Sequence, residues 1–149
     1  MAARPGAGQF LLSGQMEKFV LDERLAADTV LLVDWALSRV LMMNDARYPW
    51  FILVPRRAGL VELHDLAHAE RMVLSEEIVR ASKALKAHSG AAKINIGALG
   101  NVVAQLHIHI VARSPGDAAW PGPVWGHGAR EPYGPGVFEQ LRTNFAAIL

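Results

Sequence analysis

The stretch Gln105-Leu106-His107-Ile108-His109-Ile110-Val111-Ala112 decides how the chain is read. Apolar and polar residues alternate along it, and side chains on a β-strand alternate between the two faces. Gln105, His107 and His109 therefore share one face. Leu106, Ile108 and Ile110 share the other, where they can pack on a helix. Three adjacent polar groups are costly inside a core unless they are hydrogen-bonded, so their face is assigned to a pocket or to solvent. An imidazole in that position can act as a nucleophile, a general base or a metal ligand.

Just upstream lies Lys93-Ile94-Asn95-Ile96-Gly97-Ala98-Leu99-Gly100-Asn101. Its glycines let the backbone turn and approach a ligand closely. Asn95 and Asn101 add amide donors and acceptors, and the N–H groups of such a loop can hold phosphate oxygens. The loop joins a strand over 93–96 to a strand over 105–112 and so brings Asn95 and Asn101 toward the histidine face.

Further out the pattern predicts strands over Thr29 to Asp34, Arg39 to Met43 and Phe51 to Val54, the last two forming a hairpin around the Asn44-Asp45 turn. A long helix is predicted over Asp65 to Lys86, with Asp65 as N-cap and Gly90 as terminator. Leu74, Ile78, Ala81 and Leu85 form its buried face. Val137 to Ile148 reads as a short terminal helix. Strands, one long helix, then strands imply an α+β domain with an antiparallel sheet. The segment Ser114 to Gly136 holds five of the eight prolines. Its Trp120 and Trp125 read either as anchors pinning a long loop or as a flap over the site or over a partner's site.

Composition narrows the function classes. A chain of 149 residues, 52% hydrophobic and 19% charged, fits one folded domain and excludes disorder. Its core is expected over about 28–126, with residues 1–14 a tail without the apolar run of a signal peptide and 127–149 a C-terminal extension. A net charge of +1 excludes a basic coat for nucleic acid. No cysteine is present, so disulfides, thiolate metal sites and cysteine nucleophiles are excluded. A cytoplasmic location is expected, with no membrane partner, since no apolar stretch approaches the ~20 residues a bilayer span needs. His64 and His68 stand at i and i+4 and could join a zinc site, but zinc takes about three or four protein ligands and nothing acidic completes one. An exposed helix entrance is the simpler assignment. His88 is assigned to the helix C-terminus, His127 to an exposed tail, and Arg56-Arg57 to solvent.

Taken together, these motifs resemble the histidine triad superfamily of nucleotidyl hydrolases and transferases, in its bacterial type. Its signature is His-φ-His-φ-His-φ-φ with φ apolar, after a glycine-containing loop. Here the first histidine is Gln105, and the second and third are His107 and His109. Asn95-Ile96-Gly97 and Gly100-Asn101-Val102-Val103 resemble the family loop. Met43-Asn44-Asp45, Pro49 and Leu53-Val54-Pro55 resemble its ribose-binding turn and the following strand. The resemblance implies a five-stranded antiparallel sheet with one long helix, in a homodimer. It implies that His107 attacks the α-phosphorus of a nucleoside phosphate ester, anhydride or phosphoramidate, a dinucleoside polyphosphate among them, with a purine base. A nucleotidyl-histidine forms and water releases the nucleoside monophosphate. His109 then donates to a phosphate oxygen or the departing group. Asn95, Gly100 and Asn101 hold the phosphate side, and Asn44 or Asp45 holds the ribose. No metal or other cofactor is required, a divalent cation serving only to neutralise a polyphosphate. Gln105 cannot titrate, though its amide can orient a neighbour; this departure favours the alternative of a nucleotide-binding regulatory module with negligible turnover. Val102 stands where the nucleotide-binding branch carries a hydroxyl residue.

Overall fold

A computed structural model describes residues 17–149; the predicted tail, 1–14, lies outside the described residues. The elements are α1 (Glu23–Asp28), β1 (Thr29–Asp34), β2 (Ser38–Met43), β3 (Trp50–Pro55), α2 (His68–Ser89), β4 (Lys93–Gly97), β5 (Ile108–Arg113) and α3 (Pro135–Ile148). The five strands make one sheet in the order β1-β2-β3-β5-β4, and every pairing is antiparallel. The expected α+β class and the β2–β3 hairpin are therefore present.

The alternation of the strands sorts the core into two layers. Phe51, Leu53, Ile108, Ile110 and Ala112 face Leu74, Ala81 and Leu85 of α2 and Phe145 of α3. Trp50, Ile52, Val54 and Val111 face the opposite way, toward Leu25 of α1 and toward Ala119, Val124 and Trp125 of the 114–136 segment. Strands β3 and β5 are consequently buried along their whole length. Burying one such apolar side chain contributes about 1.5–3 kcal/mol, so the Pro-rich segment serves as the cover of the second face. Helix α1 went unpredicted: six residues are too few to show a period, and its start depends on the Asp22 carboxylate accepting from Arg24 N–H.

Several element ends shift by one to three residues, and two starts differ in a way that bears on the site. Asp65 does not cap α2; it closes a single 3-10 turn over Leu63–Asp65, where its Oδ2 accepts from Val61 and Glu62 N–H. Helix α2 begins at His68, after Ala67. Strand β5 starts at Ile108 rather than Gln105. Its ladder partners run out there, at Leu53 on β3 and Gly97 on β4, and Leu106 N–H turns instead to Leu60 C=O at 2.9 Å.

Candidate functional site

His107 stands just before β5 and His109 within it, their ring centroids 4.8 Å apart. Both are buried. His107 Nδ1 lies 2.7 Å from the Gln105 carbonyl oxygen. A carbonyl only accepts, so Nδ1 carries the proton and Nε2 keeps its lone pair. His109 Nδ1 takes the opposite part, accepting from the Trp50 indole N–H at 3.0 Å. Burial, with the nearby His107 ring adding to it, pushes the His109 pKa down to about 3.

Two cavities meet at His107, sharing Leu99, Gly100 and His107 as walls. The larger, about 360 Å³, is walled by Leu25, Met43, Val102 and Val103, with His109, Asn101, Arg24 and Asp28 at its polar points. The smaller, about 290 Å³, is walled by Val61 to His64, which lead into the 3-10 turn, and by Ala98, Ala104, Gln105 and Leu106. Gly100 between them has φ +74°, a left-handed conformation that favours glycine.

The predicted site residues separate into two groups. His107, His109, Gly100 and Asn101 are brought together. Gln105 lines the smaller cavity, but its amide is engaged elsewhere: Nε2 donates to Val20 C=O and Oε1 accepts from Asp22 N–H, both at 2.8 Å. Its backbone carbonyl, not its side chain, orients His107. Asn95 lies on the His109 face of the sheet, yet its Oδ1 accepts from Arg113 Nη1 at 2.8 Å, away from both cavities. Asn44 Oδ1 accepts from Tyr133 N–H at 2.9 Å. Asp45 is buried against Arg47, at 2.8 Å. Burial works to raise its pKa, and the Arg47 guanidinium with the Arg47 and Glu131 N–H groups outweighs it, holding the carboxyl below its ordinary range. Asn44 and Asp45 thus tie the 131–133 segment to the end of β2, with Asn44 N–H on Asp28 C=O. Asp28, at the junction of α1 and β1, is the acidic residue that lines the larger cavity; no sequence signal pointed to it.

Trp125 sits 5.5 Å from the His109 ring and 6.5 Å from Trp50. A Cβ on Gly97 would stand 2.9 Å from Trp125 Cη2, so glycine opposite His109 is what admits this indole. Trp125 therefore both anchors the 114–136 segment and walls the histidine. His64 lines the smaller cavity, His88 packs on Phe145 at 4.7 Å, and Arg57 pairs with Glu70. Among the described residues no three His, Cys, Asp or Glu side chains gather into a metal site.

Comparison with known proteins adds to this geometry. The HIT domain family matches residues 24–116, which span the sheet and both cavities. The chain belongs to the histidine triad family. It is 43% identical to a histidine triad protein of Sinorhizobium meliloti, covering 91% of this chain and all of that one with a TM-score of 0.86. A histidine triad protein of Bradyrhizobium japonicum is 44% identical over 88% of this chain and 98% of that one, TM-score 0.84. One from Marinobacter aquaeolei is 41% identical over 89% and 97%, TM-score 0.86. No curated protein matches the chain. Like those relatives, this histidine triad protein is an α+β domain on a five-stranded antiparallel sheet. Among the described residues it has no helix long and apolar enough to cross a membrane.

Proposed function

We propose that this histidine triad protein is a nucleotidyl hydrolase or transferase working through a nucleotidyl-histidine on His107. The observation that carries the reading is the His107 tautomer: with Nδ1–H held by the Gln105 carbonyl, Nε2 offers its lone pair where the two cavities meet. A phosphorus atom attacked there bears two bulky substituents that need separate room. The larger, mostly apolar cavity takes the nucleoside, a purine by family resemblance, and the smaller takes the leaving group. Asn101 and the Gly100 backbone hold the phosphate. Asp28 takes the ribose hydroxyls, a carboxylate being an acceptor for both, and Asn44, whose backbone N–H donates to the Asp28 carbonyl, holds that segment in place. Asp45 and Asn95 support the site from behind, through the turn after β2 and through Arg113.

In the first step the Nε2 pair forms a bond to phosphorus, and the bond to the leaving group breaks with its electron pair. In the second, water replaces His107 and the nucleoside monophosphate departs. Dividing the displacement replaces one difficult step with two easier ones. Phosphoramidates and dinucleoside polyphosphates are the substrates to offer, the latter with a divalent cation to offset their charge.

The test is to incubate the protein with an adenosine phosphoramidate and a dinucleoside polyphosphate, follow free AMP, and quench rapidly to seek nucleotide on the peptide carrying His107. His107→Ala should lose turnover by several orders of magnitude yet bind AMP almost as the native protein does. His109→Ala, removing one hydrogen-bond donor, should lose ~10²–10³ in rate. Native turnover in His107→Ala would exclude the nucleophile. AMP binding with no AMP release from either substrate would leave the regulatory module that Gln105 favours.

A further inference from the structure

An indole N–H can only donate a hydrogen bond. Trp50 directs it at His109 Nδ1 over 3.0 Å, between two buried residues. Nδ1 must therefore present its lone pair, and the proton of the neutral ring sits on Nε2. We infer that Trp50 is a positioning residue that locks His109 in the Nε2–H tautomer and keeps it uncharged, so that His109 is a fixed hydrogen-bond donor and not a proton carrier.

The surroundings agree from every side. Protonating Nδ1 would set two N–H groups head to head inside the sheet face. The Trp50 and Trp125 rings meet the imidazole at centroid distances of 5.5 Å each, at 62° and 66°, so the ring cannot turn over to exchange its nitrogens without moving an indole. Gly97 stands opposite on β4 and offers no charge. His107 at 4.8 Å is the titratable ring that touches it. Arg24 and Asp28 are the charged groups of the shared cavity, and Asp28 is paired with Arg130 at 3.3 Å. The burial that holds the His109 pKa at about 3 works in the same direction. His107 and His109 thus form a complementary pair, one exposing a lone pair at Nε2 and the other an N–H.

The catalytic consequence rests on the reading of His107 as nucleophile; the tautomer does not. When His107 Nε2 bonds to phosphorus and the leaving group takes the electron pair, His109 Nε2–H shares its hydrogen with a phosphoryl oxygen and retains it. The proton that the leaving group needs comes from solvent water, and hydrolysis returns one in the second step.

The test begins on the native protein, labelled with ¹⁵N. Two-bond couplings from the ring carbon-bound hydrogens report which nitrogen bears the proton. At pH 6, His109 should show a protonated Nε2 and a bare Nδ1. A His109 protonated at Nδ1, or on both nitrogens, would overturn the inference with no variant required. Trp50→Phe keeps a ring and removes the donor. The Nδ1–H form of His109 should then become populated, and kcat should fall about tenfold or more with KM little changed, as when a donor to developing charge is misplaced. Adding Trp50→Phe to His109→Ala should cost nothing further, since coupled residues are not additive. Full multiplicative losses would show Trp50 acting by packing alone and would overturn it. If nucleotide never attaches to His107, the proposed reaction fails, whereas the native tautomer still decides the inference about Trp50.

Discussion

His109 is 7% exposed and its pKa is pushed from 6.5 down to about 3 by burial, with His107 adding to the effect. A group whose folded pKa is lowered gives stability that is present above its unfolded pKa and lost as pH falls toward the folded one. Between pH 6.5 and about 3 the unfolded chain binds a proton at this position that the folded chain does not. Stability should therefore fall with pH across that window, by up to about 1.4 kcal/mol per unit from this one ring. Urea unfolding at pH 7 and pH 5 measures it, and His109→Asn should flatten the dependence; an equal loss in both proteins would refute the assignment. That His107 and His109 share one face, where both line the larger cavity, was legible from their alternation with Leu106, Ile108 and Ile110. Trp50 was not legible, because an aromatic residue in an apolar strand reads as core. Its role appears only through the register that pairs Ile52 with His109. Asp45 misled for a similar reason: a turn carboxylate reads as a ligand group, while its partners are Arg47 two residues on and Glu131 far along the chain.

At the scale of elements, the segment 114–136 gave least to sequence reading, since it lacks any period. Its fixing point is a buried arginine at the end of β5. Arg113 is 1% exposed. It donates to Asp117 through Nε and Nη2, to Asn95 through Nη1 and to Gly122 C=O through Nη2, at 2.8 to 3.0 Å. The Arg113 hydrogen bonds lead in holding the Asp117 carboxyl below its ordinary range. Removing one partner of a buried charge pair leaves the other uncompensated, at a cost of about 3–5 kcal/mol. Arg113→Ala should accordingly lower the melting temperature by many degrees and open the 114–136 segment to limited proteolysis ahead of the sheet. Because Val124 and Trp125 are delivered by that segment, His109 should gain exposure in the variant, and turnover should fall even at temperatures where the fold persists. Proteolysis that attacks α2 before the 114–136 segment would contradict this account. The helix α2, by contrast, was legible from the spacing of Leu74, Ala81 and Leu85; its start escaped, because Asp65 serves a 3-10 turn whose N–H partners lie upstream.

At the scale of the molecule, the sheet ends in β4, which pairs with β5 alone among the described residues. The free edge runs from the exposed Lys93 to Gly97, with Ile96 52% exposed. An unpaired strand edge carrying an apolar side chain invites pairing with another chain, and two-fold closure is the commonest outcome in soluble proteins. Homodimerisation across β4 is therefore the expected state, in line with family resemblance. Light scattering at micromolar concentration should give twice the mass of the chain. Ile96→Arg should shift it to the monomer while leaving circular dichroism unchanged, since this side chain lies outside both buried clusters. A second apolar surface, Met72, Val73 and Val79 on α2, provides the control. If Val79→Arg and not Ile96→Arg breaks the dimer, the helix and not the strand forms the interface. A native protein that is monomeric throughout would remove the dimer altogether. In the dimer formed through β4, the loop carrying Leu99 and Gly100 follows directly from the paired strand, so dissociation should also weaken nucleotide binding. Measuring AMP affinity for Ile96→Arg against the native protein tests that coupling, and equal affinities would show that each chain holds its site alone.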